Sequence, residues 1–225
     1  MPENEKVKVA AIVGSHPYDV VNFQRMFESM EGVECYIQHL EMFVTSDKER
    51  RQWYDVVLFY NMHWGIPADS ENWAEGKVRT ALDELGETEQ GIFMLHHAIL
   101  AYAEWDKWSE ICGIGKRGFD YHLDQTVELK IADKNHPITS GLSDFTLGDE
   151  TYTMDNAGEG SHILITADHP QSMETIAWVR QYKASPVFCF ASGHDNSAFA
   201  NENFRKVARQ AIKWLAERKR GRANP

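Results

Sequence analysis

Several junctions between an apolar run and a turn carry imidazoles. The segment GIFMLHHA, Gly91 to Ala98, passes from a buried-type strand straight into His96-His97. A sharp strand-to-helix turn projects one side chain over the sheet edge. In hydrolases that position holds a nucleophile, with backbone N–H groups nearby to bind an oxyanion. Here it falls on His96 or His97. Imidazole suits acid–base work near neutral pH and also binds metals. The competing reading is one histidine capping the helix and the other packed under a loop. Gly193-His194-Asp195-Asn196 follows a second apolar run, Pro186 to Phe190, and glycine before His194 permits positive φ or close backbone approach. His63-Trp64-Gly65 follows a third run and could bind a polyol or a carbonyl group. Asp149-Glu150-Thr151-Tyr152 and Asp155 supply carboxylates and a phenol. A carboxylate beside histidines can orient an imidazole, act as base or join a metal site. Alone, such a run reads as a solvated face. His136 reads as a turn determinant before Pro137. His16, His39, His122, His162 and His169 read as structural or exposed, although His16 lies in the loop after the first apolar run.

The elements that must position these groups alternate through the first half of the chain. Val7–Val13, Val33–Ile37, Asp55–Tyr60 and Gly91–Leu95 read as strands. Helical spacing covers Tyr18–Met30, Ser70–Leu85 with Gly86 as its stop, and about Ile99–Ile111. This β-α-β-α order predicts a parallel sheet with helices on both faces, and in such sheets ligands bind at the carboxyl ends of the strands. Beyond it, His122–Ala132, His162–Ala167 and Glu174–Arg180 read as an antiparallel ribbon or sheet extension. Pro186–Phe190 is a last core strand. Asn203–Arg218 is a closing amphipathic helix with Val207, Ile212 and Leu215 facing the core. GIGKRG, Gly113 to Gly118, matches a dinucleotide fingerprint in form only: it follows a helix and leads to a strand, so it reads as a helix stop. The sequence has no Walker A motif, no H-E-x-x-H and no G-x-S-x-G.

The 225 residues suffice for one large α/β domain, expected over 1–225 with a core of about 5–217. A net charge of −11 argues against nucleic-acid or anionic-membrane partners, which require a basic surface. The basic run Arg218 to Arg222 reads as a frayed helix end. The polar start MPENEKVKVA shows no signal-peptide pattern, and no stretch is apolar enough to span a membrane, so the expected location is cytoplasmic. Cys35, Cys112 and Cys189 are scattered, as expected of reduced, buried thiols. The seven tryptophans offer flat apolar faces with polar rims, suited to the core or to a sugar pocket.

Several segments resemble the ThuA-like (trehalose-utilisation) family of the class I glutamine amidotransferase-like superfamily. They are GIFMLHHA (91–98), the helix ending at EICG (110–113), HPITSGLSDFTLGDETY (136–152), Trp178 in AWVR, and PVFCFASGHD (186–195) before a helix reaching Trp214. The resemblance runs from about residue 55 to 215. It implies a flavodoxin-like three-layer α/β sandwich with a mostly parallel central sheet and a small antiparallel extension. Amidotransferases carry Cys at the strand-end elbow and His after a late strand. Here the aligned positions are His96 and His194, and no cysteine falls at an elbow, which argues against thiolate chemistry.

What the resemblance implies is an enzyme acting on a small-molecule sugar, keto-sugar or glycoside by hydrolysis, elimination or isomerisation. His97 and His194 would face each other with His96 beside them, and Glu150 would orient an imidazole or act as base. His63, Trp64, Tyr152, Asp155 and Trp178 would hold the sugar. No cofactor is certain; a divalent Zn or Mn on imidazole and carboxylate would polarise a carbonyl or activate water. The alternatives are a non-catalytic sugar-binding or sensing protein, a partner subunit on the same scaffold, or an amidase or peptidase requiring a reactive cysteine. A homo-oligomer is compatible with all of them.

Overall fold

The computed structural model describes residues 6–222. Its strands are β1 (Val7–Gly14), β2 (Val33–His39), β3 (Val56–Asn61), β4 (Gly91–Leu95), β5 (Asp120–Ile131), β6 (Phe145–Thr153), β7 (His162–Ala167), β8 (Thr175–Tyr182) and β9 (Ser185–Phe190). Its helices are α1 (Val20–Glu28), α2 (Leu40–Thr45), α3 (Lys48–Trp53), α4 (Val78–Asp83), α5 (Asp106–Cys112), α6 (Asn196–Phe199) and α7 (Glu202–Arg222). All nine strands join one sheet in the order β2-β1-β3-β4-β9-β8-β7-β5-β6.

The pairings from β2 to β9 are parallel. Those from β9 to β6 are antiparallel. This corrects the expectation of a mostly parallel sheet with a small extension: antiparallel ladders supply four of the eight pairings. Chain connectivity explains part of it. Only Lys183 and Ala184 separate β8 from β9, with Lys183 at φ 49°, and a connection that short permits only an antiparallel hairpin. β6 goes beyond the sequence reading, since Gly148-Asp149-Glu150-Thr151 at its centre carries no apolar alternation.

The parallel half is covered on both faces, as its near-continuous apolar strands require. Successive residues of a strand point to opposite sides. Phe93 and Leu95 therefore meet Phe23, Phe27, Val207, Ile212 and Leu215 of α1 and α7. Ile92 and Met94 join Phe43, Leu82, Trp108 and Ile111 of α2, α4 and α5. Val207, Ile212 and Leu215 are fully buried, as their spacing predicts.

Three local expectations change. The helix expected over 70–85 is confined to α4. Upstream, the Ser70 hydroxyl accepts from Asn72 N–H and Asn72 Oδ1 accepts from Ala74 N–H, so side chains hold backbone donors that a helix would use. The helix expected over 99–111 splits into a 3-10 turn (His96–Ile99) and α5, with Tyr102 at φ 49° between them. The buried Arg117 guanidinium donates to the carbonyls of Ile99, Ala101 and Tyr102, taking acceptors that a continuous helix would need. The C-terminal basic run is helical, and its side chains from Arg218 to Arg220 are docked. Arg218 donates to Gln181, Lys219 donates to the Gln52 carbonyl, and Arg220 pairs with Asp55 at 3.3 Å. Gly113 closes α5 in the left-handed region, consistent with a helix stop.

Candidate functional site

The loops after β1, β3, β4 and β9 emerge at one end of the parallel half, and the histidines gather there. β4 stops at Leu95, and His96 takes φ 52°. A non-glycine residue in that region is uncommon and strained, and such residues concentrate at functional turns. His96 is fully buried. Its Nδ1–H donates to the Ala191 carbonyl at 2.8 Å. Its Nε2 lies 2.7 Å from the Tyr152 hydroxyl and 3.0 Å from Glu150 Oε2. The Tyr152 hydroxyl also donates to Glu150 Oε2 at 2.7 Å. These three atoms form a closed triangle, and one hydroxyl proton cannot satisfy all its edges.

β6 delivers Glu150 and Tyr152 on one face, just past a buried anchor, Asp149. Asp149 Oδ2 accepts from Gly193 N–H at 2.7 Å, and its Oδ1 accepts from the N–H groups of His194 at 2.9 Å and Glu150 at 3.0 Å. The Tyr60 hydroxyl, from β3, donates to the Gly193 carbonyl at 2.8 Å. Gly193 sits at φ 124°, and a Cβ there would lie 3.1 Å from the Phe204 ring, so this turn requires glycine. His194 Nδ1 is thereby held 3.2 Å from Glu150 Oε2, off the line of a hydrogen bond.

The charges separate across the cluster. Burial alone would raise the Glu150 carboxyl, but contacts with His194, His96 and Tyr152 outweigh it and hold it well below the usual carboxylate range. The Glu150 carboxylate raises His194 above the ordinary imidazole value, against partial burial. Burial pushes His97 well below that value, helped by the neighbouring His96 and His16. His16 is lowered by burial. Asp149 is raised by burial, which its three backbone donors and His96 offset in part.

The sequence matches the family model for trehalose utilisation, ThuA, over residues 14–215. The chain belongs to the ThuA family. A ThuA-like protein from Parabacteroides merdae superposes with a TM-score of 0.73 at 18% identity, covering 94% of this chain and 90% of that one. A GMP synthase protein from Thermoplasma acidophilum gives 0.59 at 11% identity, with 99% and 100% coverage. A glutamine amidotransferase from Thermotoga maritima gives 0.53 at 9% identity, with 95% and 100% coverage. At these identities the likeness concerns the fold, which is thereby amidotransferase-like. No curated protein matches the sequence at a significant level.

Within this ThuA-family fold, His96, His194, Glu150 and Tyr152 come together, and His97 lies beside them with its ring 5.3 Å from that of His96. His97 and His194 do not stand alone across the strand ends. His16 lies 4.3 Å from His97 and 6.4 Å from His194, ring centre to ring centre. The structure thus adds His16 and Tyr60 to the site and makes Asp149, named in the sequence only within its acidic run, the anchor of the turn. Only the position of His16 after β1 marked it in the sequence. Trp178 is corrected: it is fully buried in the core, and its indole N–H donates to the Cys112 carbonyl, so it offers no face to a sugar. Asp155 is exposed beyond β6, outside the cluster. His63 sits apart, stacked 5.8 Å from the Tyr102 ring, with Nδ1 facing the Asn61 amide at 3.0 Å. Trp64 beside it is 60% exposed. None of the cysteines lies at the elbow, and Cys112 and Cys189 are buried. Among the described residues, no helix is long and apolar enough to cross a membrane.

Proposed function

We propose that this protein is a carbohydrate-processing enzyme that moves protons on a sugar, keto-sugar or glycoside through His194 and His97. The observation that carries the reading is the divergence of the two imidazoles. Glu150, 3.2 Å from the partly exposed His194, favours its protonated form, whereas burial favours a neutral His97. Titratable neighbours pushed apart in this way divide into an acid and a base. His194 would protonate a leaving or carbonyl oxygen. His97 Nδ1, which has no partner, would accept a proton from a substrate hydroxyl. Glu150, steadied by His96 and Tyr152, keeps His194 charged. Asp149 fixes the turn that carries it. The chemistry suits elimination, isomerisation or hydrolysis of a small-molecule carbohydrate, consistent with the family's association with trehalose utilisation.

A second reading adds a metal. His96, Glu150 and His194 each offer one ligand atom, all within 4.8 Å of one another, with His96 Nε2 and His194 Nδ1 both beside Glu150 Oε2. Their edges of 3.0 and 3.2 Å suit ligands about 2.1 Å from one centre, and two imidazoles with a carboxylate suit Zn or Mn. The His96 Nδ1–H bond to Ala191 is the outer support a ligating imidazole requires. These residues fit such an ion, which when bound would supply Lewis-acid polarisation of an oxygen.

Turnover of a panel of keto-glycosides and free keto-sugars tests the main reading. His194→Ala and His97→Ala should each lower kcat by about 10²–10⁴-fold. Turnover unchanged in both variants refutes it, and tight sugar binding without turnover would instead favour a sensing role.

A further inference from the structure

Two neighbouring imidazoles at the strand ends, His16 and His97, each keep one lone pair, and the backbone decides which nitrogen bears it. His97 Nε2–H donates to the Tyr60 carbonyl at 2.9 Å, so the lone pair of the neutral ring lies on Nδ1. That atom is buried and unpartnered, on a residue only 2% exposed. His16 Nδ1–H donates to the Pro17 carbonyl at 2.6 Å, which leaves Nε2 as its acceptor. The rings stand 4.3 Å apart with planes 31° from parallel. His16 follows β1, and Tyr60 lies near the end of β3. Between these two strands the chain reverses its direction across the sheet, from β1 out to β2 and back to β3. Open α/β sheets bind ligands in the crevice at such a reversal.

A buried acceptor left unpaired is costly, so the complementary ligand is one that brings hydrogens. We infer that His16 and His97 form a paired acceptor that binds two neighbouring hydroxyls of a polyol, making His16 a substrate-binding residue at the β1/β3 strand ends. This rests on the carbohydrate reading and narrows it. The ligand must present adjacent O–H donors at this pair, and an anionic group placed there would meet two lone pairs.

Two measurements test it. In the ¹⁵N spectrum of histidine-labelled protein at neutral pH, His16 should be protonated at Nδ1 and His97 at Nε2, and adding D-glucose or trehalose should shift the two unprotonated nitrogens. In calorimetric titrations, wild type should bind D-glucose about tenfold more tightly than 2-deoxy- or 3-deoxy-D-glucose, as expected for one lost hydrogen bond. His16→Phe keeps a ring over His97 without the acceptor and should abolish that preference. His16→Gln restores an acceptor at similar reach and should retain most of it. Opposite tautomers, or wild-type discrimination in His16→Phe, would overturn the inference while leaving the acid–base reading standing. A wild type that binds neither glucose nor trehalose, with no shift at either nitrogen, would remove the inference and the carbohydrate reading together.

Discussion

Asp149→Asn isolates the anchor of the site with almost no change of shape. The carboxylate accepts three backbone N–H groups: two converge on Oδ1 and one reaches Oδ2. An amide can keep its oxygen on the side with two donors, but its NH₂ then faces Gly193 N–H, donor against donor. One charge-assisted bond is lost and a buried N–H is left without an acceptor, a cost of about 2–3 kcal/mol. Relief of the carboxylate's burial, which raises Asp149 in the native state, offsets part of that. A net loss of about 2 kcal/mol lowers Tm by about 4–8 °C for a chain of this size. The variant should also move the backbone amide resonances of Gly193 and His194 and lower turnover, because His194 loses its fixed approach to Glu150. Scanning calorimetry gives the first quantity and two-dimensional NMR the second. A Tm within one degree of wild type, with both amides unmoved, would refute the argument that Asp149 holds this turn.

Glu150 makes acid stability asymmetric. Its native carboxyl lies below the unfolded value of 4.5, so the unfolded chain binds more protons in that window. Urea midpoints of wild type should therefore fall as pH drops from about 4.5 towards the native value, and Glu150→Gln should flatten that arm. His194 contributes with the opposite sign. Its native value is raised, so its stabilisation is complete below 6.5 and fades as pH rises through the native value. An NMR titration should show the His194 value falling in Glu150→Gln, and an unmoved titration curve would disprove the coupling. Trp178→Phe removes the buried bond to the Cys112 carbonyl and should cost about 1 kcal/mol without changing sugar affinity. Trp64→Ala should leave Tm within about a degree of wild type, since surface substitutions act weakly on stability. Apo protein titrated with Zn or Mn should take up about one equivalent, lost in His96→Ala with His194→Ala, if the donor spacing of the cluster reflects a metal centre.

Most of the parallel half was legible because β1, β3, β4 and β9 are compact apolar runs ending in a turn signal, and two of those turns carried His96 and His194. The elbow reading left His96 and His97 equivalent. What separates them is backbone conformation, φ 52° at His96, which residue type does not encode. Glu150 and Tyr152 were visible as residue types, but β6, which aims them, was not, because its central residues serve the site and break the alternation that marks a strand. Trp178 misled for the opposite reason: a tryptophan in a core strand and one in a sugar pocket share composition and differ only in burial. His16 escaped because its partners are remote in sequence. The helices lost around Ser70 and Tyr102 yielded to side chains, Asn72 and Arg117, that took up backbone groups which local periodicity assigns to a helix.

The reach of Asp149 from β6 to the turn after β9 also orders events in time. The bonds that assemble the cluster close loops of 44 residues between Asp149 and Gly193, 95 between His96 and Ala191, and 133 between Tyr60 and Gly193. Loop closure over such distances is slow and depends on the far segment being present. A chain emerging from the ribosome can pair β1 to β4 and bury much of their apolar surface while His96 still lacks Ala191 and Glu150 lacks His194. The cluster is therefore complete only when the last fifth of the polypeptide docks. Recovery of activity after dilution from denaturant should lag the return of helical signal, and the interval between them would time the arrival of that segment.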